Sequence, residues 1–120
     1  MRRGLSVLAA CAALAGCGDS YDGVYAGGTG FMMVAVMELK GDTASIETVN
    51  TALRRVVSTR EFEAEIKSGK LHLIRQDGLR FVYGLADDQE SLECLSDSCQ
   101  GFAGLGRNDM PRAWSPHRGG

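Results

Sequence analysis

Residues 61–67 alternate without a fault, with Glu61, Glu63 and Glu65 on one face and Phe62, Ala64 and Ile66 on the other. A period of two marks a strand with one face in water and the other in a core. The same period recurs over residues 43–49, where Ala44 and Ile46 alternate with Thr43, Ser45 and Glu47. It returns over residues 79–85, where Leu79, Phe81, Tyr83 and Leu85 share a face opposite Arg80 and Val82. Residues 71–74 form another strand of this kind, and residues 31–39 are an apolar run rich in methionine and valine, short enough to read as a strand. Turn signals separate these runs at Gly41-Asp42, Ser68-Gly69, Gln76-Asp77-Gly78 and Asp87-Asp88-Gln89. The first of them predicts a tight hairpin between residues 31–39 and 43–49.

Between and beyond these strands the pattern is weaker. Val24-Tyr25-Ala26 reads as a first short strand, closed by a break at Gly27-Gly28-Thr29-Gly30. Residues 50–55 contain helix formers, Ala52, Leu53, Arg54 and Arg55, but the segment is short. Val56-Val57-Ser58-Thr59 favours extension again. Residues 92–95 fit a strand, or one helical turn with Leu92 and Leu95 on a common face. After Phe102, glycine, proline, arginine and asparagine dominate and regular structure is expected to fade, with residues 115–120 frayed. Within that segment, Met110-Pro111-Arg112-Ala113-Trp114 is placed to dock its tryptophan on the end of the fold. Strands at roughly ten-residue spacing without a long helix predict an all-β domain. We expect a small antiparallel meander of six to eight strands, curled into a barrel or small sandwich that limits exposed edges.

The N-terminal stretch obeys a different rule. Arg2 and Arg3 precede an apolar run from Leu5 to Leu14, which ends in Leu14-Ala15-Gly16-Cys17. A run of about ten apolar residues is half of what spans a bilayer, but it suits a cleaved export signal. At these residues the chain resembles the bacterial lipoproteins, whose lipobox reads Leu-Ala-Gly-Cys. The resemblance covers residues 1–17. It implies cleavage before Cys17 and acylation of the Cys17 sulfur, with palmitate among the chains of that class. It also implies that Cys17 becomes the N-terminus. The expected organisation is then a signal peptide over 1–16, a tether over 17–23, a β-domain over 24–105 and an irregular tail over 106–120. In enterobacterial members, aspartate directly after the lipidated cysteine favours the inner membrane. Gly18 stands there in this chain, which by the same resemblance points to the outer membrane, periplasmic face.

Removing 16 residues from the 120 leaves 104, the size of one domain with one core. Removing Arg2 and Arg3 leaves 11 basic against 15 acidic residues, a net charge of −4. That balance argues against a nucleic-acid partner. It also offers no polybasic attraction to an anionic membrane, so acyl chains on Cys17 are left to anchor the chain. Cys11 departs with the signal, which leaves Cys94 and Cys99 as the thiols of the mature domain. In an exported chain they are expected to form a disulfide; their Cys-x4-Cys spacing is not the Cys-x-x-Cys of redox motifs.

Candidate chemistry is sparse, and no cofactor is expected. His72 lies in a strand between leucines, and His117 lies in the tail. No nucleophile elbow accompanies them. Glu61, Glu63 and Glu65 share one environment, whereas a catalytic carboxylate pair needs two. Met32, Met33 and Met37 are soft enough for Cu(I), but flexible core filling explains them. The glycines at 27, 28 and 30 lack the lysine and the following helix of a phosphate loop. The densest charge is the acidic set Asp87, Asp88, Glu90, Glu93 and Asp97, which lacks the spacing of an EF-hand loop. It reads as a solvated loop or as a docking rim for a basic periplasmic protein, pinned by the Cys94–Cys99 bridge. The expected function is therefore a non-enzymatic, lipid-anchored binding domain of the cell envelope. Two alternatives are an inhibitor or immunity protein against a cell-wall hydrolase and an accessory structural lipoprotein of an envelope complex. The first resembles the lipidated lysozyme inhibitors in general plan, though no motif of theirs transfers to these residues.

Overall fold

A computed structural model of the protein describes residues 21–117; the signal segment and Cys17 lie outside the described residues. The alternating runs become eight strands. In chain order they are β1 (Gly23–Gly30), β2 (Met33–Lys40), β3 (Thr43–Asn50), β4 (Arg55–Lys67), β5 (Lys70–Ile74), β6 (Arg80–Leu85), β7 (Leu92–Cys94) and β8 (Ala113–Pro116). Each pairs antiparallel with its neighbour in sequence, and β8 returns to β1 to close a barrel. Closure removes the first and last edges that an open meander would expose, and leaves β4 paired on one side over residues 55–62.

The inward positions are those the alternation selects. Ala35, Met37 and Leu39 on β2 meet Ala44 and Ile46 on β3, and Phe62 on β4 meets Phe81 edge-on at 5.9 Å. Glu61, Glu63 and Glu65 stand on the solvent side. Met37 fills the core, Met33 is half-buried on the same face, and Met32 lies exposed in the β1–β2 turn. Ile66 and Leu85 have the inward parity expected of them but remain 43% and 47% exposed. Both sit at the mouth of the barrel, beyond the last full layer of side chains.

Several local expectations are corrected. Residues 56–59 and 61–67 join into the single 13-residue β4. Residues 50–55 form no helix: the Leu53 amide donates to Asn50 Oδ1 at 2.9 Å and Arg54 turns left-handed at φ 54°, making a hairpin turn. Residues 92–94 are strand rather than helical turn. The glycines at 27, 28 and 30 do not end β1 but belong to it. Gly27 is required there, because a side chain at that position would run into the Ala113 carbonyl and Pro111.

The largest difference lies in the segment 106–120, where an irregular tail was expected. It carries β8, whose Ser115 pairs with Ala26 and whose Trp114 is fully buried. Ahead of it Met110 and Pro111 fold into the barrel end and are also fully buried. Three backbone carbonyls hold this plug in place. The Pro111 carbonyl accepts from the Tyr83 hydroxyl at 2.8 Å, that of Arg112 from the Cys94 amide at 2.8 Å, and that of Asp109 from Arg60 Nη2 at 3.0 Å. The tryptophan docks as expected, but as part of the core.

Cys94 and Cys99 form the expected disulfide. The loop it closes is also tied by Ser96 Oγ accepting from the Val82 amide at 3.0 Å and by Ser98 Oγ donating to the Arg80 carbonyl at 2.5 Å. Replacing both cysteines by serine should therefore lower unfolding stability by about 2 kcal/mol and leave the barrel formed. Urea titration followed by circular dichroism measures this. Loss of the native β signal in the absence of urea would contradict it.

Candidate functional site

The meander sorts its connections between two ends. The β2–β3, β4–β5 and β6–β7 turns lie at the end where the chain enters; the β1–β2, β3–β4, β5–β6 and β7–β8 connections lie at the other. At the entry end the chain is already fixed before β1. Tyr21 donates its hydroxyl to the Gly69 carbonyl at 2.6 Å, and Asp22 Oδ1 accepts from the Gly41 amide at 2.9 Å. Residues 21 and 22, expected in the tether, are thus bonded to two turns of the barrel. Tyr25 donates to the Tyr21 carbonyl at 2.6 Å, and burial pushes its own pKa up. A recess of about 610 Å³ opens here between Tyr21, Tyr25, Ile66, Leu85 and Pro116.

The five acidic residues are not brought to one place. Asp87, Asp88 and Glu90 occupy the β6–β7 turn at the entry end, and Glu93 lies exposed on β7. Asp97 belongs to the disulfide loop, whose Ser96 and Ser98 bond to Val82 and Arg80 near the start of β6. The length of β6, roughly 3.3 Å per residue, separates it from Asp87. Asp88 is engaged internally: its carboxylate accepts from the amides of Glu90 and Ser91 and from the Ser91 hydroxyl. Those bonds hold its pKa below the usual carboxylate range. The disulfide therefore does not pin the loop that carries Asp87 and Asp88.

His72 faces outward on β5, across from Glu65 and Val82. Arg80 Nη1 sits 3.4 Å from its Nδ1 and 3.2 Å from Glu65 Oε1. Partial burial first, and the Arg80 charge second, push the His72 pKa down. A wall position braced by an arginine accounts for it. Among the described residues no group of three histidine, cysteine or acidic side chains is arranged to hold a metal ion. Thr48 Oγ1, Arg60 Nε and Trp114 Nε1 are buried without hydrogen-bond partners among the described residues. Arg60 is half-buried, with its guanidinium 5.6 Å from the Phe62 ring centre.

The far end has the most distinctive surface. β8 reaches β1 only at Tyr25 and Ala26, and β5 reaches β4 only from Glu63 to Lys67. The remaining lengths of β1 to β4 pair with one another beyond the barrel, as a four-stranded flap. The molecule accordingly measures 47 Å by 30 Å by 29 Å. Thr51 of the β3–β4 turn donates from both its amide and its hydroxyl to the Met32 carbonyl, so the two flap turns form one tip. That tip carries Phe31, 87% exposed, and Leu53, 64% exposed, beside Met32. Phe102, 91% exposed, and Leu105 project from the β7–β8 connection at the same end. On the outer face of the flap, Gly28, Val34, Val49 and Val56 pair in one row across its four strands.

Of these flap residues the sequence singled out only Met32 and Gly28, for copper and phosphate, and none for a docking surface. One signal was present: residues 31–37 are apolar without interruption, whereas a strand with one wet face alternates. No family model, curated protein or solved structure matches the chain.

Proposed function

We propose that the protein is a lipid-anchored, non-enzymatic binding module of the cell envelope that presents the flap end of its barrel to a protein partner. The observation that carries the reading is the joined tip of Phe31, Met32 and Leu53, at the end of the barrel opposite the entering chain. Large apolar side chains gathered at one end of a small domain mark an interaction surface. The lipobox resemblance supplies the anchor at Cys17. From Cys17 to Tyr21 the chain reaches at most roughly 14 Å, so the barrel would stand close to the membrane with its flap pointing into the periplasm. The outer membrane, periplasmic side, is the location this reading favours.

A photo-crosslinking amino acid placed at Phe31 or Leu53 should capture a partner in intact cells, and the same probe at Lys70 on the entry end should not. The captured protein then separates the roles: a cell-wall hydrolase means an inhibitor, and a subunit of a large assembly means an accessory component. Capture from Lys70 alone, or from neither end, would defeat the reading.

A further inference from the structure

We propose that the free edge of β4, over residues 55–60, is a docking strand for an extended, acidic segment of a partner protein. The inference rests on the flap being the binding end and names the chemistry that it recognises.

β4 pairs with β3 from Arg55 to Glu63 and with β5 from Glu63 to Lys67, so only Glu63 has a strand on both sides. From Arg55 to Phe62 it pairs with β3 alone, and among the described residues no backbone hydrogen bond meets its other side, where only the Arg60 side chain reaches the Asp109 carbonyl. Alternate residues of such an edge turn their amide and carbonyl outward. An exposed edge of this kind accepts a further strand from a partner, with main-chain bonds giving affinity and side-chain pockets giving specificity.

The side chains around the edge define that partner. The outer apolar row runs Gly28, Val34, Val49, Val56 and stops at the edge, with Val56 and Val57 each 47% exposed. A fifth strand would continue the row with an apolar side chain of its own beside Val56. Arg54 and Arg55 stand at the entrance to the edge, exposed and in no ion pair among the described residues. They are the basic corner of a mature chain whose net charge is −4. Cross-strand pairing of opposite charges adds to a strand–strand contact, and like charges directly opposite subtract from it.

The same rule weighs against a second copy of this chain paired about the middle of the edge. Two β4 edges pairing antiparallel about Val57 and Ser58 would bring Arg55 opposite Arg60. An irregularity in register between Thr48 and Val49 further bends this edge away from a flat partner. The occupant that answers the arginine charge and continues the valine row is a short segment in which valine-like residues alternate with aspartate or glutamate.

The test uses the full chain in neutral detergent micelles and two blocked ten-residue peptides, one alternating valine with glutamate and one alternating valine with lysine. Amide hydrogen exchange is followed along the chain. The glutamate peptide should slow exchange at alternate amides within residues 55–60 by at least roughly tenfold, and the lysine peptide should not. Binding should weaken as salt rises. The double variant Arg54→Glu, Arg55→Glu should lose about tenfold in affinity for the glutamate peptide and gain affinity for the lysine peptide. Unchanged exchange in β5 and β6 confirms that the variant is folded. The proposal is overturned by equal effects of the two peptides, or by no slowing at residues 55–60. It is equally overturned if those amides slow with protein concentration alone, which would mean self-association. Crosslinks from Phe31 without peptide protection of β4 would remove the docking strand and leave the binding module standing. Peptide protection without any crosslink from the tip would do the reverse.

Discussion

Trp114→Ala should be the most damaging single substitution in the barrel, lowering unfolding stability by about 3–5 kcal/mol. The indole is fully buried and packs edge-on against Tyr83, with ring centres 6.3 Å apart. Its strand is short: β8 has two paired positions with β1 and two with β7. So few ladder bonds leave the closing strand dependent on the side chain it inserts. Removing the indole leaves a void beside Tyr83 that the surrounding core closes only in part. Against a total of about 5–15 kcal/mol for a small domain, that loss brings the barrel close to unfolding. Trp114→Phe keeps a ring against Tyr83 and should lose distinctly less. Urea unfolding followed by far-ultraviolet circular dichroism compares the three proteins. Because Trp114 is the sole tryptophan, its fluorescence in the parent protein reports β8 closure directly. If Trp114→Ala unfolds with the parent's midpoint, the barrel does not depend on its last strand.

What could be read from the sequence follows from what is local. The inward and outward faces of β3, β4 and β6 came directly from period two, since a one-residue slip would put Phe62 in water and Glu61 in the core. The Gly41-Asp42 and Ser68-Gly69 turns were legible because the glycines at both adopt the left-handed backbone that favours glycine. β8 was not legible. It offers one large apolar residue between Pro111 and Pro116, and proline ordinarily argues against a strand. Its pairing with β1, some ninety residues earlier in sequence, leaves no trace in a local window. Gly27 misled for a related reason: it read as a break, whereas its lack of a side chain is what lets Pro111 enter the barrel.

The candidate surface was half visible. Asp87, Asp88, Glu90, Glu93 and Asp97 form a cluster in sequence, but β7 carries the chain from one end of the barrel to the other between Glu90 and Asp97. Conversely, Phe31, Leu53 and Val56 are scattered in sequence, and pairing of β1 to β4 collects them. For this reason Asp87 is a cleaner probe of a basic partner than Asp88, whose carboxylate organises its own turn.

Replacing Cys17 by alanine should move the protein from the membrane fraction to the soluble periplasm almost completely. Acyl chains bind through burial of methylenes at about 0.8 kcal/mol each, so two or more hold where one is marginal. Among the described residues no helix is long and apolar enough to cross a membrane. The apolar run ahead of Cys17 is about half the length that a bilayer requires. The outer face of β4 carries Glu61, Glu63 and Glu65, and charges on a lipid-facing barrel wall are strongly unfavourable. The net charge of −4 that cleavage before Cys17 would leave repels an anionic surface instead of adding to an acyl anchor. Alanine at this position also blocks cleavage of a lipoprotein signal, so the variant is best expressed behind an ordinary secretory signal that leaves no apolar run attached. Fractionation after a high-salt wash, together with metabolic labelling by a fatty acid, gives the result. The parent should be labelled and sediment with membranes, and the variant should be unlabelled and soluble, with its barrel intact from Tyr21 onward. Sedimentation of the unlabelled variant with membranes would assign the hold to the barrel surface, and the flap could then no longer be taken as pointing away from the bilayer.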